Sequence, residues 1–255
     1  MKNNSIDKDC LKGVQTIIHL AGENVAAGRW TGQRKKRIVD SRTLSTQLLY
    51  DALSAESHSI ESFISASATG IYGSKTTENI YKESHECGTD FLAKVCVAWE
   101  ASIFKIQELG IRTVALRTGV VFSKDKGALE KMMIPFKLGF GSSIASGNQY
   151  IPWIHIDDLC KMYLFTIERP KIQGAYNAVV GDSLTNNVLS QTLAKTLKRR
   201  IIMPNVPGFM LHFIFGEMAI IITDGSRVSS EKIVGEGFQF DHSIISNAVS
   251  DLLKS

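Results

Sequence analysis

An open α/β sheet of parallel strands, wound on both faces by helices and followed by a smaller helix-rich C-terminal lobe, is the fold this sequence predicts. Apolar, β-branched runs recur at 15–20, 59–66 and 111–121, each ending in small or polar residues, as buried strands do where a ligand approaches their carboxyl ends. Helical periodicity fills the intervals 31–53 and 91–109, and strand, helix, strand, helix, strand at this spacing means parallel units with right-handed crossovers. Beyond Gly181 the pattern becomes helix-rich and irregular. The length of 255 residues suits one large domain with an appendage, here expected as 1–180 and 181–255.

The run Val14 to Trp30, VQTIIHLAGENVAAGRW, opens the sheet: Gln15 to Leu20 form the strand, and Ala21 and Gly22 end it. Thr31 to Leu53 follows as a helix with Ile38, Leu44, Leu48, Leu49 and Leu53 expected on one face. Ser59 to Ala66 is the second strand, delivering Ser65, Ser67 and Thr69 at its end. Phe91 to Leu109 is a long helix closed by Gly110. Ile111 to Val121 is the third strand and carries Arg117 on its carboxyl side.

A helix at Leu129 to Leu138 leads into the glycine-rich loop Gly139 to Gly147, and Tyr150 to Ile156 reads as a short strand. Asp157 or Asp158 is expected to cap the helix running to Glu168. Gly174 to Val180 is another strand, and Ser183 or Thr185 caps a helix through Leu197. The most apolar segment, Phe209 to Thr223, is broken by His212, Gly216 and Glu217 and falls short of the roughly 20 apolar residues a membrane span needs. It reads as an amphipathic, well-buried helix.

The net charge of +4, from 29 basic and 25 acidic residues, is too balanced to imply nucleic acid. The clusters Arg34 to Arg37 and Lys198 to Arg200 read as solvated helix faces. Cys10, Cys87, Cys96 and Cys160 are scattered, without the spacing of a disulfide framework or a metal site. Met1 to Lys12 is polar, unlike a signal peptide. A reducing, cytoplasmic setting without a membrane or nucleic-acid partner is expected.

Seven motifs stand in order: HLAGENV with Arg29 and Trp30, SRTLST from Ser41, SASATGIYG from Ser65, DFLAKVCVAWE from Asp90, LRTGVVFS from Leu116, PWIHIDDL from Pro152, and FGEMA, GSRV and GFQF C-terminally. Through them the chain resembles the extended short-chain dehydrogenase/reductase superfamily, specifically its epimerase-like family ending in a small domain of unknown function. The resemblance implies a Rossmann-like doubly wound sheet that binds NAD or NADP and acts on a small-molecule substrate of a nucleotide-sugar kind. It also implies a strand, a Gly-rich turn and a helix that hold the pyrophosphate, all ahead of Val14.

Only thirteen residues precede Val14, and they contain no GxGxxG. The sheet is therefore expected to lack its first strands, a truncation of about 40 to 50 residues judged from the absent strand units. Two consequences are expected: weak dinucleotide binding, and self-association through an unpaired apolar edge.

In the superfamily a Tyr four residues before a Lys supplies the acid/base, the cation lowering the phenol pKa. Counting back from Glu100, those positions fall on Leu92 and Cys96, which cannot do this. Lys94 is out of register by about 200° on the helix. Tyr72 is the nearby candidate acid, with aromatic packing as the alternative. Ser67 and Thr69 occupy the loop that hydrogen-bonds substrate, or else satisfy a turn.

The resemblance assigns cofactor contacts to Leu20, Ala21, Gly22, Ser65, Arg117, Thr118 and Gly119. Arg117 either holds an anion bidentately or pairs with Glu23 or Glu100. The substrate side is assigned to Glu23, Asn24, Trp30, Arg42, Trp153 and Arg227, with core tryptophan and structural arginine as alternatives. The expected function is an NAD(P)-binding epimerase or oxidoreductase. The alternatives are a non-catalytic NADP(H)-binding regulatory protein or an inactive fragment.

Overall fold

The computed structural model describes residues 6–124, 127–181 and 184–253. In chain order the elements are β1 (Thr16–His19), α1 (Gly32–Ala55), β2 (Ser62–Ala68), β3 (Ile80–Tyr81), α2 (Phe91–Lys105), β4 (Arg112–Thr118), β5 (Val120–Phe122), α3 (Ala128–Lys137) and β6 (Trp153–His155). They continue with α4 (Ile156–Glu168), β7 (Gly174–Ala178), α5 (Asn186–Thr196), α6 (Gly208–Phe215), α7 (Ile220–Thr223), β8 (Arg227–Val228), α8 (Glu231–Gly235) and α9 (Ile245–Leu252).

The main sheet has the order β1-β2-β4-β7 and is parallel throughout, with Thr16 opposite Ser62, Ser62 opposite Arg112 and Val114 opposite Gly174. β2 and β4 begin slightly later than Ser59 and Ile111, because Glu61 and Ser62 first approach the sheet by donating to the Gln15 carbonyl. The expected single strand 111–121 breaks at Gly119. A Cβ there would lie 2.4 Å from the Pro152 carbonyl oxygen, and Val120 N–H donates to that oxygen. The chain so leaves the main sheet as β5 to pair with β6.

Among the described residues β1 pairs with β2 alone, and Ile18 on it and Leu20 just after it are exposed. An unpaired, apolar edge is the feature natural sheets usually cover or charge.

Helices flank the sheet on both sides. One face packs Phe63 and Ala115 against Leu53 of α1 and Trp99 and Ile103 of α2. The opposite face packs Ile64, Val114 and Leu116 with Met162 of α4. That second core continues into Leu193, Ile233, Phe238 and Val249, so the helix-rich C-terminal part shares it. Each large apolar side chain so buried stabilises the fold by about 1.5–3 kcal/mol.

Local caps follow the sequence closely. Thr31 accepts from Arg34 N at the start of α1, Asp90 from Ala93 N at α2, and Thr185 from Val188 N at α5; Ser183 lies outside the described residues. Gly110 (φ +74°) closes the 3-10 turn Ile106–Leu109 that ends the α2 segment. The apolar face expected on α1 is corrected, since Leu44 is exposed while Ser45 and Thr46 are buried. Six residues at roughly 100° each put Leu44 well round the helix from Ile38.

The cap of α4 is His155, whose Nδ1 accepts from Asp157 N at 3.2 Å, rather than Asp157 or Asp158. Asp158 is instead fully buried and accepts from Asp241 N and His242 N. Phe209 to Thr223 is not one well-buried helix. Gly216, with φ +61°, breaks it into α6, a 3-10 turn and α7. On α6 only Leu211 is buried, and Phe213 is 85% exposed. Among the described residues no helix is long and apolar enough to cross a membrane.

Candidate functional site

At the carboxyl ends of β1, β2 and β4 three pieces of chain converge: Leu20 to Gly22, the Ser67 to Tyr72 turn, and Arg117 to Gly119. Behind them lies a buried polar network. Ser67 Oγ donates to Glu100 Oε1 at 2.6 Å, and Arg117 grips both Glu100 oxygens through Nε and Nη2 at 2.8 Å each. Arg117 Nη1 donates to the Tyr72 hydroxyl at 2.9 Å and to the Glu83 carbonyl at 3.2 Å. Tyr72 in turn donates to Asn177 Oδ1 at 2.7 Å, and Asn177 Nδ2 donates to Ser229 O.

These bonds answer the two alternatives for Arg117: it pairs with Glu100 in a bidentate fork. Its side chain is 9% exposed, leaving little guanidinium edge for an anionic ligand. Burial opposes its charge, yet the hydrogen bonds and charge of Glu100 hold its pKa above the ordinary guanidinium value. Burial raises the Tyr72 phenol pKa, outweighing Arg117, which acts the other way. The Tyr72 ring also stacks on Tyr81 at 5.3 Å.

Leu92 and Cys96 lie one turn apart on α2 and face the same glycine. A Cβ on Gly70 would meet Leu92 Cβ at 3.5 Å and Cys96 Sγ at 3.7 Å. Burial first, and then Glu100, push the Cys96 thiol up to about 12, so it stays protonated and inert as a nucleophile. Lys94 points to solvent.

Other assigned residues scatter. Leu20, Ala21 and Gly22 form an exposed backbone strip, and the Cβ position of Gly22 lies 3.2 Å from the Arg42 guanidinium, which explains the glycine by packing. Arg42 donates to the carbonyls of Glu23 and Ile38 and lies over Trp99. Glu23 pairs with Arg34 and approaches Arg37, while Asn24 Oδ1 caps Ala26 N. Trp30 donates to the Val25 carbonyl and meets Phe91 edge-on.

Thr69 opens the 3-10 turn and is nearly buried, and Thr118 Oγ1 donates to Leu116 O. Three placements correct the expectations. Ser65 is fully buried with His19 and Ser45 beneath α1, Gly119 is closed off by Pro152, and Trp153 lies in the core stacked on Phe122. Arg227 sits over Tyr150 and near Glu78.

Asn177 and Glu83 escaped the sequence reading. A single polar residue inside the strand GAYNAVV was the only available signal for Asn177, and Glu83, whose carboxylate accepts from Asn177 N, gave none. His155 stacks on His242 at 3.8 Å, near Asp157 and Asp251. Because its Nδ1 lone pair caps α4, the proton sits on Nε2, which leaves that nitrogen no lone pair for a metal ion.

Burial lowers the pKa of His19 and of His155, His155 with help from His242. A depressed histidine contributes stability above its unfolded pKa of about 6.5 and loses it as pH falls through the folded value. Urea midpoints are therefore expected to hold above that pH and to decline below it. His19→Gln should flatten the decline; an unchanged slope would show that His19 contributes nothing to it.

Comparison with known proteins places these features. Residues 2–180 match the NAD dependent epimerase/dehydratase family, and residues 206–252 match a domain of unknown function, DUF1731. Epimerase family protein YfhF of Bacillus subtilis is 32% identical over 243 residues, spanning 95% of this chain and 79% of that protein. The mouse epimerase family protein SDR39U1 is 32% identical over 93% of this chain and 81% of its own length.

Among solved structures, human epimerase family protein SDR39U1 with NADPH superposes with a TM-score of 0.88 at 28% identity, covering 97% of this chain and 86% of that one. The nucleoside-diphosphate sugar epimerase of Corynebacterium glutamicum gives 0.78 at 28% identity, over 98% of this chain and 48% of that one.

Proposed function

The chain belongs to the NAD-dependent epimerase/dehydratase family, and from that premise we propose that it binds a nicotinamide dinucleotide, NADP or NAD, without carrying out Tyr/Lys-assisted hydride transfer. The observation that carries this reading is the packing of Leu92 and Cys96 on Gly70. An isobutyl group has no proton to give, and a thiol held up at about 12 by burial keeps its proton near neutral pH and, being uncharged, cannot lower the pKa of a neighbouring phenol.

The described residues fit the dinucleotide in part. The exposed strip Leu20 to Gly22 offers backbone along which a ribose can lie, whereas Ser67 and Thr69 beyond the end of that strip are buried. A pyrophosphate needs backbone N–H groups at a helix N-terminus. At the start of α1 Arg34 is already taken by Glu23. Bound, the dinucleotide would supply the hydride donor or acceptor. Of this chain's own groups, Glu100 and Arg117 would hold Ser67 and Tyr72 in place beside it. The naming of the Corynebacterium relative supports a nucleotide-sugar substrate class, and four free cysteines support a cytoplasmic setting.

A second reading, with Tyr72 as the acid, is favoured by the Arg117 hydrogen bond to its hydroxyl and opposed by burial of the phenol. Titration of the 255-residue chain with NADPH, followed by nucleotide fluorescence, separates the outcomes. Saturable binding weaker than about 1 μM, or roughly 8 kcal/mol, with neither reduction of NADP+ nor interconversion of epimers when UDP-sugars are added, is expected. No saturation at about 1 mM, or roughly 4 kcal/mol, removes the nucleotide-binding reading. Substrate-dependent reduction of NADP+, or epimer formation, that Tyr72→Phe abolishes establishes the second.

A further inference from the structure

The surface built from the end of α3, the loop after it, the run from Lys198 to Val206 and α6 is both apolar and uniformly basic. Its parts are tied together: Arg199 Nη2 donates to Lys137 O, Ile144 bridges Val206, and Asn205 Nδ2 donates to Ala145 O. Residues 131–156 and 183–216 contain no aspartate or glutamate. They carry Lys131, Lys137, Lys195, Lys198, Arg199 and Arg200, and all six are exposed.

Beside these cations stand large apolar side chains that no described residue covers. Phe213 is 85% exposed, Phe209 and Ile202 75%, Leu138 67% and Phe140 65%. On α6, Phe209 and Phe213 stand four residues apart, as do Met210 and Ile214, so both pairs share one face. A monomer rarely leaves such a patch without a use.

We propose that this face lies on an anionic lipid surface, with α6 parallel to the membrane plane. Phe209, Phe213 and Ile202 enter the acyl boundary, and Lys137, Lys198, Arg199 and Arg200 meet the headgroup phosphates. Charge decides among occupants. A second copy joined through this face across a two-fold axis would bring the same cations against one another, whereas an anionic leaflet attracts every one of them. Nucleic acid would use the cations but leave the aliphatic and phenyl groups without a partner. An eight-residue helix with an apolar face suits the interface rather than a span, consistent with the absence of a crossing helix among the described residues.

Co-sedimentation of the full chain tests this, using vesicles of phosphatidylcholine alone and of phosphatidylcholine mixed with phosphatidylglycerol. Binding to the mixed vesicles is expected to be at least about tenfold tighter and to weaken with added salt. F209S/F213S and R199E/R200E should each lower it about tenfold or more while leaving the circular dichroism spectrum and melting midpoint unchanged. No sedimentation with mixed vesicles, or equal binding to both compositions, overturns the proposal. A dimer in light scattering that F209S/F213S dissolves would assign the face to a second copy and overturn it as well.

Discussion

Replacing Arg117 by alanine is expected to lower the free energy of unfolding by about 3–5 kcal/mol, the usual consequence of stripping one partner from a buried ion pair. Glu100 is buried and would keep only the Ser67 hydroxyl as a donor among its described bonds, while Tyr72 and the Glu83 carbonyl would each lose one as well. Arg117→Lys should recover part of the loss, because one ammonium cannot reproduce a fork whose Nε and Nη2 reach separate oxygens. A paired change, Arg117→Met with Glu100→Leu, should be far milder than either single change, since it removes both charges. Urea denaturation followed by circular dichroism measures all four proteins. A loss below about 1 kcal/mol for Arg117→Ala would mean that water replaces the guanidinium, and the network would then be peripheral to stability.

Cys96→Lys, the change that restores the superfamily's cation, is expected to destabilise the protein by about 3–5 kcal/mol, the range for an uncompensated buried charge. The thiol is 4% exposed, Arg42 and Arg117 already act on the same spot, and Glu100 is occupied by Arg117 and Ser67. A third cation would have only Asp90, whose oxygens already accept from Ser74 N and Ala93 N. The double variant Leu92→Tyr/Cys96→Lys should therefore neither reduce NADP+ nor interconvert epimers when given UDP-sugars. A folded double variant that does turn over would show that the crevice lacks only those two groups, against the view that its surroundings have been rebuilt around a neutral pair.

The alternation of apolar runs and helical periods was enough to order the parallel sheet, and Thr185 and Gly110 marked helix ends, while the cap expected at Asp157 or Asp158 fell to His155. Leu92 and Cys96 could be placed together because a four-residue spacing on a helix is a local property. Trp153 could not be sorted between core and crevice, since an indole suits either and only the partner across the sheet, Phe122, decides. The same holds for Ser65, whose neighbours His19 and Ser45 come from other elements.

By itself, then, the sequence determined what depends on neighbours along the chain: the fold class, most helix limits, and the shared helix face of Leu92 and Cys96. The tertiary structure decided what depends on neighbours across it. It chose Glu100 over Glu23 as the partner of Arg117, broke the third strand at Gly119, enclosed the Tyr72 hydroxyl between Arg117 and Asn177, and left α6 exposed. Charge pairing, steric closure and burial act through distance in space, and residues 105 apart in the chain, such as Tyr72 and Asn177, become hydrogen-bonded only once the sheet has set β7 beside β4.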